Sequence, residues 1–365
     1  MPISAVDSIS FAIEHTKRQL FRPFRFGQWT RLAIVGLLAG ELGSGGFRGS
    51  NFHLPPHVGG SPHLPSGLSG IDPVLLAVLI AVIVFAALVF ALIVMYISSV
   101  MRFILFDSVL GKECRIRRQW SRRQGEGWRY FLWKLLYTLA MFGGVVLLLA
   151  VPLAFAFGVG WVREPKQHII PLVLGGIFLF FVLLLFILVM TVIFVLTKDF
   201  VVPQMALENI GAIEGWRRLW PMMKAEKGSY AGYLGMKILM AIGAGIVVGI
   251  ATLILGLIIA IPTVGLSILA VLTGQSAGLT WNAYTITLAI VVGSVLLAIF
   301  LYLIALISVP FVVFFPAYSI YFLAGRYRQL SAALYPAPPV APPIPSLAVP
   351  PYEPPPLPPS AAPIG

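Results

Sequence analysis

The chain alternates between long runs without one ionisable side chain and short segments crowded with arginine and lysine. Residues 73–101, 135–162 and 169–197 carry no charge, and 238–325 contain no Asp, Glu, Lys, Arg or His at all. About 20 apolar residues in a helix cross the hydrocarbon layer, and each charge at its centre costs roughly 2.5–3.5 kcal/mol. Each run is therefore read as membrane-spanning helix. The last block is too long for one crossing. Pro262, Gly265, Gly274 and Gly278 predict a turn within residues 261–282, dividing the block into spans near 231–261 and 284–315. A shorter apolar stretch at residues 29–46, with Glu41 near its outer end, supplies the first crossing. The expected fold is all-α: six transmembrane helices.

The polar segments between spans alternate in basic content. The N-terminal segment up to the entry of the first span carries Lys17, Arg18, Arg22, Arg25 and Arg31, whereas the next connection carries only Arg48. Residues 102–134 hold nine Lys and Arg, the following connection only Arg163 and Lys166. Lys198, Arg217, Arg218, Lys224, Lys227 and Lys237 come next, then a connection with none, and Arg326 and Arg328 end the series. Basic loops stay on the cytoplasmic side. This pattern predicts a multi-pass protein of the cytoplasmic (inner) membrane with both termini inside.

A weak internal repeat accompanies the alternation. AIEHTKRQLF at 12–21 is echoed by AIEGWRRLW at 212–220. Trp29, Trp128 and Tyr230 mark entries into odd-numbered spans, each just after a glycine (Gly27, Gly127, Gly228). This predicts three parallel units, 5–102, 107–199 and 203–322, each an interfacial amphipathic helix followed by two spans. In the first such helix Val6, Ile9, Ile13 and Leu20 share an arc, with Asp7, Glu14 and Arg18 opposite; in the third, Met205, Ala212, Trp216 and Leu219 do so. The second copy is expected within residues 113–128. Domain 1–335 is thus a membrane domain, and the proline-rich residues 336–365 a disordered cytoplasmic tail that could dock an aromatic groove of a partner protein.

Composition agrees. Hydrophobic residues make up 59% of the chain and charged ones 10%, against about 25% charged in a soluble domain. Mean hydropathy is +0.95. The net charge of +12 is assigned to attraction for an anionic inner leaflet, and no nucleic acid is expected as a partner. A single cysteine, Cys114, excludes an internal disulfide.

Two stretches carry a family resemblance. Residues 200–239, FVVPQMALENIGAIEGWRRLWPMMKAEKGSYAGYLGMKIL, and residues 5–36, AVDSISFAIEHTKRQLFRPFRFGQWTRLAIVG, resemble the membrane domain associated with bacterial glycerophosphoryl diester phosphodiesterases and related uncharacterised multi-span proteins. The resemblance implies a module that is not itself catalytic, because in that group the phosphodiesterase is a separate soluble barrel using His and Glu with a metal.

Candidate chemistry is sparse. Asp107 and Asp199 close the second and fourth spans, and Lys134 and Lys237 lie at similar depth, so these four are candidate pairing or gate residues. His53, His57, His63 and His168 face outward on this topology, but their spacing matches no ligand set, so neither metal nor cofactor is expected. Gly36–Gly40 and Gly245–Gly249 have the spacing that permits close helix packing. No Gly-rich phosphate loop or His-Glu-x-x-His occurs. Three functions stay open: a non-enzymatic module that organises lipid or anchors a partner, a small-solute or ion transporter working at the repeat interface, and an intramembrane lipid-modifying enzyme. The nearly charge-free spans favour the first.

Overall fold

A computed structural model describes residues 4–41, 72–162, 164, 166–276 and 282–335. Among these residues there are ten α-helices and one π-helical turn, and no strand. Helix α1 (Asp7–Phe21) starts where the Ser4 hydroxyl accepts the Asp7 N–H at 3.1 Å. Helix α2 (Phe26–Leu38) follows after a short turn. Helix α3 (Pro73–Leu110) has proline at its first position and is capped by the Asp72 carboxylate, which accepts the Val74 N–H at 2.9 Å. Helices α4 (Ile116–Gly158) and α5 (Ile169–Leu196) form an antiparallel pair. A π turn (Thr197–Val201) joins α5 directly to α6 (Val202–Glu208), which stops at Asn209 with φ +56°. Helices α7 (Ala212–Ala225), α8 (Lys227–Ser276), α9 (Ala283–Ala324) and α10 (Arg328–Leu334) complete the chain.

Five helical stretches are long and apolar enough to cross a membrane: Val74–Leu110, Ile116–Gly158, Ile169–Glu208, Lys227–Gly274 and Tyr284–Ala324. They define a membrane protein. The expected first span is different. Helix α2 has 13 residues, about 20 Å at 1.5 Å per residue, short of the hydrocarbon thickness. It packs beside the ends of α3 and α9; residues 42–46 of the expected span lie outside the described residues.

Two further expectations need correction. The predicted turn at 261–282 begins too early, since α8 runs through Pro262 to Ser276. Proline removes one backbone donor, the helical partner of the Ile258 carbonyl; in an apolar setting ending the helix there would strand several more backbone groups, so the helix continues. The second interfacial helix, expected within 113–128, is not separate either: its basic residues from Ile116 onward are the first turns of α4. Gly127 makes this possible. A Cβ there would stand 2.6 Å from the Val100 side chain, so glycine lets α4 lie flush on α3 as it leaves the basic segment. Gly36 on α2 does the same against Val312 on α9, also at 2.6 Å, whereas nothing lies near Gly249.

The core sits at one end of the bundle. Val100, Phe103, Ile104 and Val109 of α3, Phe200–Met205 around the π turn, Tyr230 and Tyr233 of α8, and Val309, Val313, Tyr318 and Phe322 of α9 are buried together. Away from this packed end the helices present Leu, Ile, Val and Phe outward along α3, α5, α8 and α9. That distribution suits lipid as the solvent, since hydrocarbon penalises no exposed apolar side chain. Helix α1 lies on the packed end with Ser8, Ala12, His15, Thr16 and Gln19 turned inward. Its expected apolar arc is split: Val6 and Ile13 are exposed, and Leu20 is buried. In α7, Ala212 and Leu219 face the core.

Candidate functional site

The packed end encloses a network of charges drawn from four separate segments. Glu41 follows α2, Arg102 lies two turns before the end of α3, Lys198 and Asp199 occupy the π turn, and Lys237 sits one turn beyond Tyr233 on α8. Arg102 and Lys198 take one Glu41 oxygen each, and Arg102 also donates to the Ala39 carbonyl at 2.9 Å. Lys237 pairs with Asp199, whose same oxygen accepts the Tyr233 hydroxyl at 3.0 Å. The Glu41 side chain is fully buried, and Asp199 is 4% exposed.

An uncompensated ion at this depth would cost several kcal/mol, so each charge depends on its partners. The extra residue of a π turn shifts the side chains that follow it. Here it carries Lys198 and Asp199 as consecutive residues toward two different partners. A cavity of about 20 Å³ is lined by Glu41, Arg102, Lys198, Asp199, Pro316 and Ser319, which is room for about one water molecule. The Tyr318 hydroxyl, buried and stacked on Tyr233 at 4.9 Å, has no hydrogen-bond partner among the described residues.

Of the four candidate residues, Asp199 and Lys237 meet. Asp107 and Lys134 do not. Asp107 is held by the fork of Arg123, at 2.7 Å to each oxygen, and Arg123 also reaches Glu126 at 3.1 Å and the Ala206 carbonyl at 2.7 Å. Lys134 donates to the Ser98 hydroxyl at 3.1 Å. Sequence reasoning passed over Arg102 and Lys198. A signal existed, since each is the first charge after a charge-free run, at 73–101 and 169–197. Glu41 reads in sequence as a helix-end residue and is instead the acceptor at the centre of the network.

His53, His57 and His63 lie outside the described residues, as does the tail 336–365. His168 is half-buried, with one ring nitrogen 3.2 Å from the Glu164 carbonyl. Among the described residues no group of three His, Cys, Asp or Glu could hold a metal ion. The buried histidine is His15 on α1. Its Nε2 donates to the Val109 carbonyl at 2.9 Å, leaving Nδ1 to accept from the Tyr321 hydroxyl at 3.2 Å. Burial lowers its pKa, so the neutral ring is favoured.

Bundle and network together define a multi-helix membrane protein locked at one end by buried ion pairs. The chain belongs to a family described as a family of unknown function (DUF7544), which it matches over residues 3–333. No curated protein and no solved structure matches it. The match carries no link to the phosphodiesterase-associated membrane domain.

Proposed function

We propose that this protein is a non-catalytic module of the cytoplasmic membrane, with the short α2 and the five long helices as its membrane segments and both termini inside, whose basic packed end engages the anionic inner leaflet. One observation carries the reading. Glu41, Arg102, Lys198, Asp199 and Lys237 pair with one another around a cavity with room for about one water, which supports a structural module over a passage for a solute. The resemblance of residues 5–36 and 200–239 to a phosphodiesterase-associated membrane domain supports a module role. The arginine-rich collar supports attraction to acidic lipid.

A second reading has its own observation: Lys198 and Asp199 sit in a π turn beside that cavity, and π turns recur at functional sites. On this reading the Asp199–Lys237 pair opens and closes during ion or proton transfer. Purified protein in proteoliposomes separates the two. The module reading expects proton and small-solute permeation equal to that of empty vesicles. Permeation above that level, abolished by Asp199→Asn, overturns it in favour of transport.

A further inference from the structure

Apart from the buried network, a cleft of about 310 Å³ opens where the start of α2 meets the connection between α3 and α4. Arg25, Gln28, Arg31, Glu113, Cys114 and Arg115 line it. Two contacts fix its walls: Gln28 donates to the Lys112 carbonyl at 2.7 Å, and Arg31 reaches the Cys114 carbonyl at 3.4 Å. Three guanidinium groups therefore face one carboxylate. Arg115 is neutralised by Glu113 at 3.0 Å, whereas the Arg25 guanidinium makes no ion pair or hydrogen bond among the described residues, and that of Arg31 meets only a carbonyl. The cleft keeps two positive charges in a volume within the range of small-ligand sites.

Its surroundings give it a depth. Phe21, Phe24 and Phe26, at the turn between α1 and α2, are each more than half exposed, and the first two pack on Trp29 with ring centroids 5.5 Å away. Exposed aromatic rings interleaved with Arg22 and Arg25 are the residues that anchor at the headgroup layer. Guanidinium forks match phosphate oxygens in shape and charge.

We propose that this cleft binds a phosphate ester, gripped by Arg25 and Arg31, at the level of the lipid headgroups. The proposal rests on the reading of the packed end as the face turned to the anionic leaflet. Its ligand is the phosphate of an anionic phospholipid or a soluble phosphate.

Native mass spectrometry of the full chain, released from nanodiscs of phosphatidylcholine titrated with phosphatidylglycerol, tests it. The expected result is saturable binding, weakened roughly tenfold or more in Arg25→Gln/Arg31→Gln. The control Arg117→Gln/Arg118→Gln removes the same charge from exposed positions outside the cleft and is expected to change affinity less than about twofold. Inorganic phosphate that displaces the lipid from the wild type identifies a soluble phosphate as a competent ligand; lack of displacement identifies the lipid headgroup. Equal losses in both double variants, or none in the first, overturn the proposal and leave diffuse attraction to a basic surface. Arg25→Gln alone touches no partner among the described residues, so it carries the test if the double variant fails to fold. Vesicle permeation reports on the buried network and not on these exposed arginines, so the two readings fail separately.

Discussion

Arg123 of α4 grips Asp107 of α3 with both arms of its guanidinium, 2.7 Å to each carboxylate oxygen. The same side chain reaches the Ala206 carbonyl at 2.7 Å, so one residue ties α3, α4 and α6. Both partners are at least 85% buried. Removing one member of a buried pair leaves the other charge stranded, at about 3–5 kcal/mol. Arg123→Ala is therefore expected to lower the detergent-solubilised melting temperature strongly. Arg115→Ala, which removes an exposed arginine paired at 3.0 Å, is expected to change it little. Thermal melts of the two variants side by side provide the check.

The Asp199–Lys237 pair gives a different signature. Lys237→Met leaves the Asp199 carboxylate with the Tyr233 hydroxyl at 3.0 Å as its remaining side-chain donor among the described residues, and a buried anion with one neutral donor is unfavourable. Asp199→Asn in the same chain removes that charge while keeping an acceptor for Tyr233. The double variant is expected to be more stable than Lys237→Met alone by about 1–3 kcal/mol. A double-mutant cycle on chemical unfolding measures the coupling, and a double variant no more stable than the single lysine change contradicts the clamp.

Much of this architecture can be read in the chain, and each misreading has its own physical cause. Charge-free runs locate α3, α5, α8 and α9 because a centred charge is so costly in hydrocarbon. Asp199 and Lys237 are visible because each sits at the edge of such a run. Pro262 was read by the rules of water, where a proline ends a helix; within an apolar helix the chain continues. The 29–46 run has nearly enough apolar residues to cross, yet α2 ends at Leu38 before Gly40, whose φ of +77° turns the chain. That turn brings Glu41 back to Arg102. The Glu41–Lys198 contact joins residues 157 apart in sequence, and no local pattern in a single chain reports such a pair.

Two glycines of α4 predict opposite outcomes from the same substitution. At Gly127 a Cβ would meet the Val100 side chain at 2.6 Å and its backbone Cα at 3.2 Å. The backbone cannot yield as a side-chain end does, so Gly127→Ala should destabilise by about 1–3 kcal/mol. Gly143 lies in the same helix with nothing within 4 Å, and Gly143→Ala should be neutral or stabilising by up to about 1 kcal/mol. Unfolding midpoints of both variants decide the matter, and a harmless Gly127→Ala would contradict the close approach of α3 and α4.

His15 supplies a pH dependence whose sign follows from its burial. Both ring nitrogens are engaged, by the Val109 carbonyl and the Tyr321 hydroxyl. Burial lowers its pKa below the ordinary 6.5, and the nearby Lys112 charge acts in the same direction. A group depressed in the fold contributes stability above its unfolded value and loses that contribution as pH falls through the folded one. The loss therefore begins near pH 6.5 and deepens on acidification, as the unfolded imidazole takes up a proton that the folded one resists. Melting temperature measured from pH 8 down to pH 5 should fall for the wild type over that window. His15→Gln, which cannot titrate, should flatten the decline while lowering stability at pH 8, because it surrenders the paired hydrogen bonds of the ring. An unchanged pH slope in His15→Gln would assign the acid sensitivity to the carboxylates of the buried network instead.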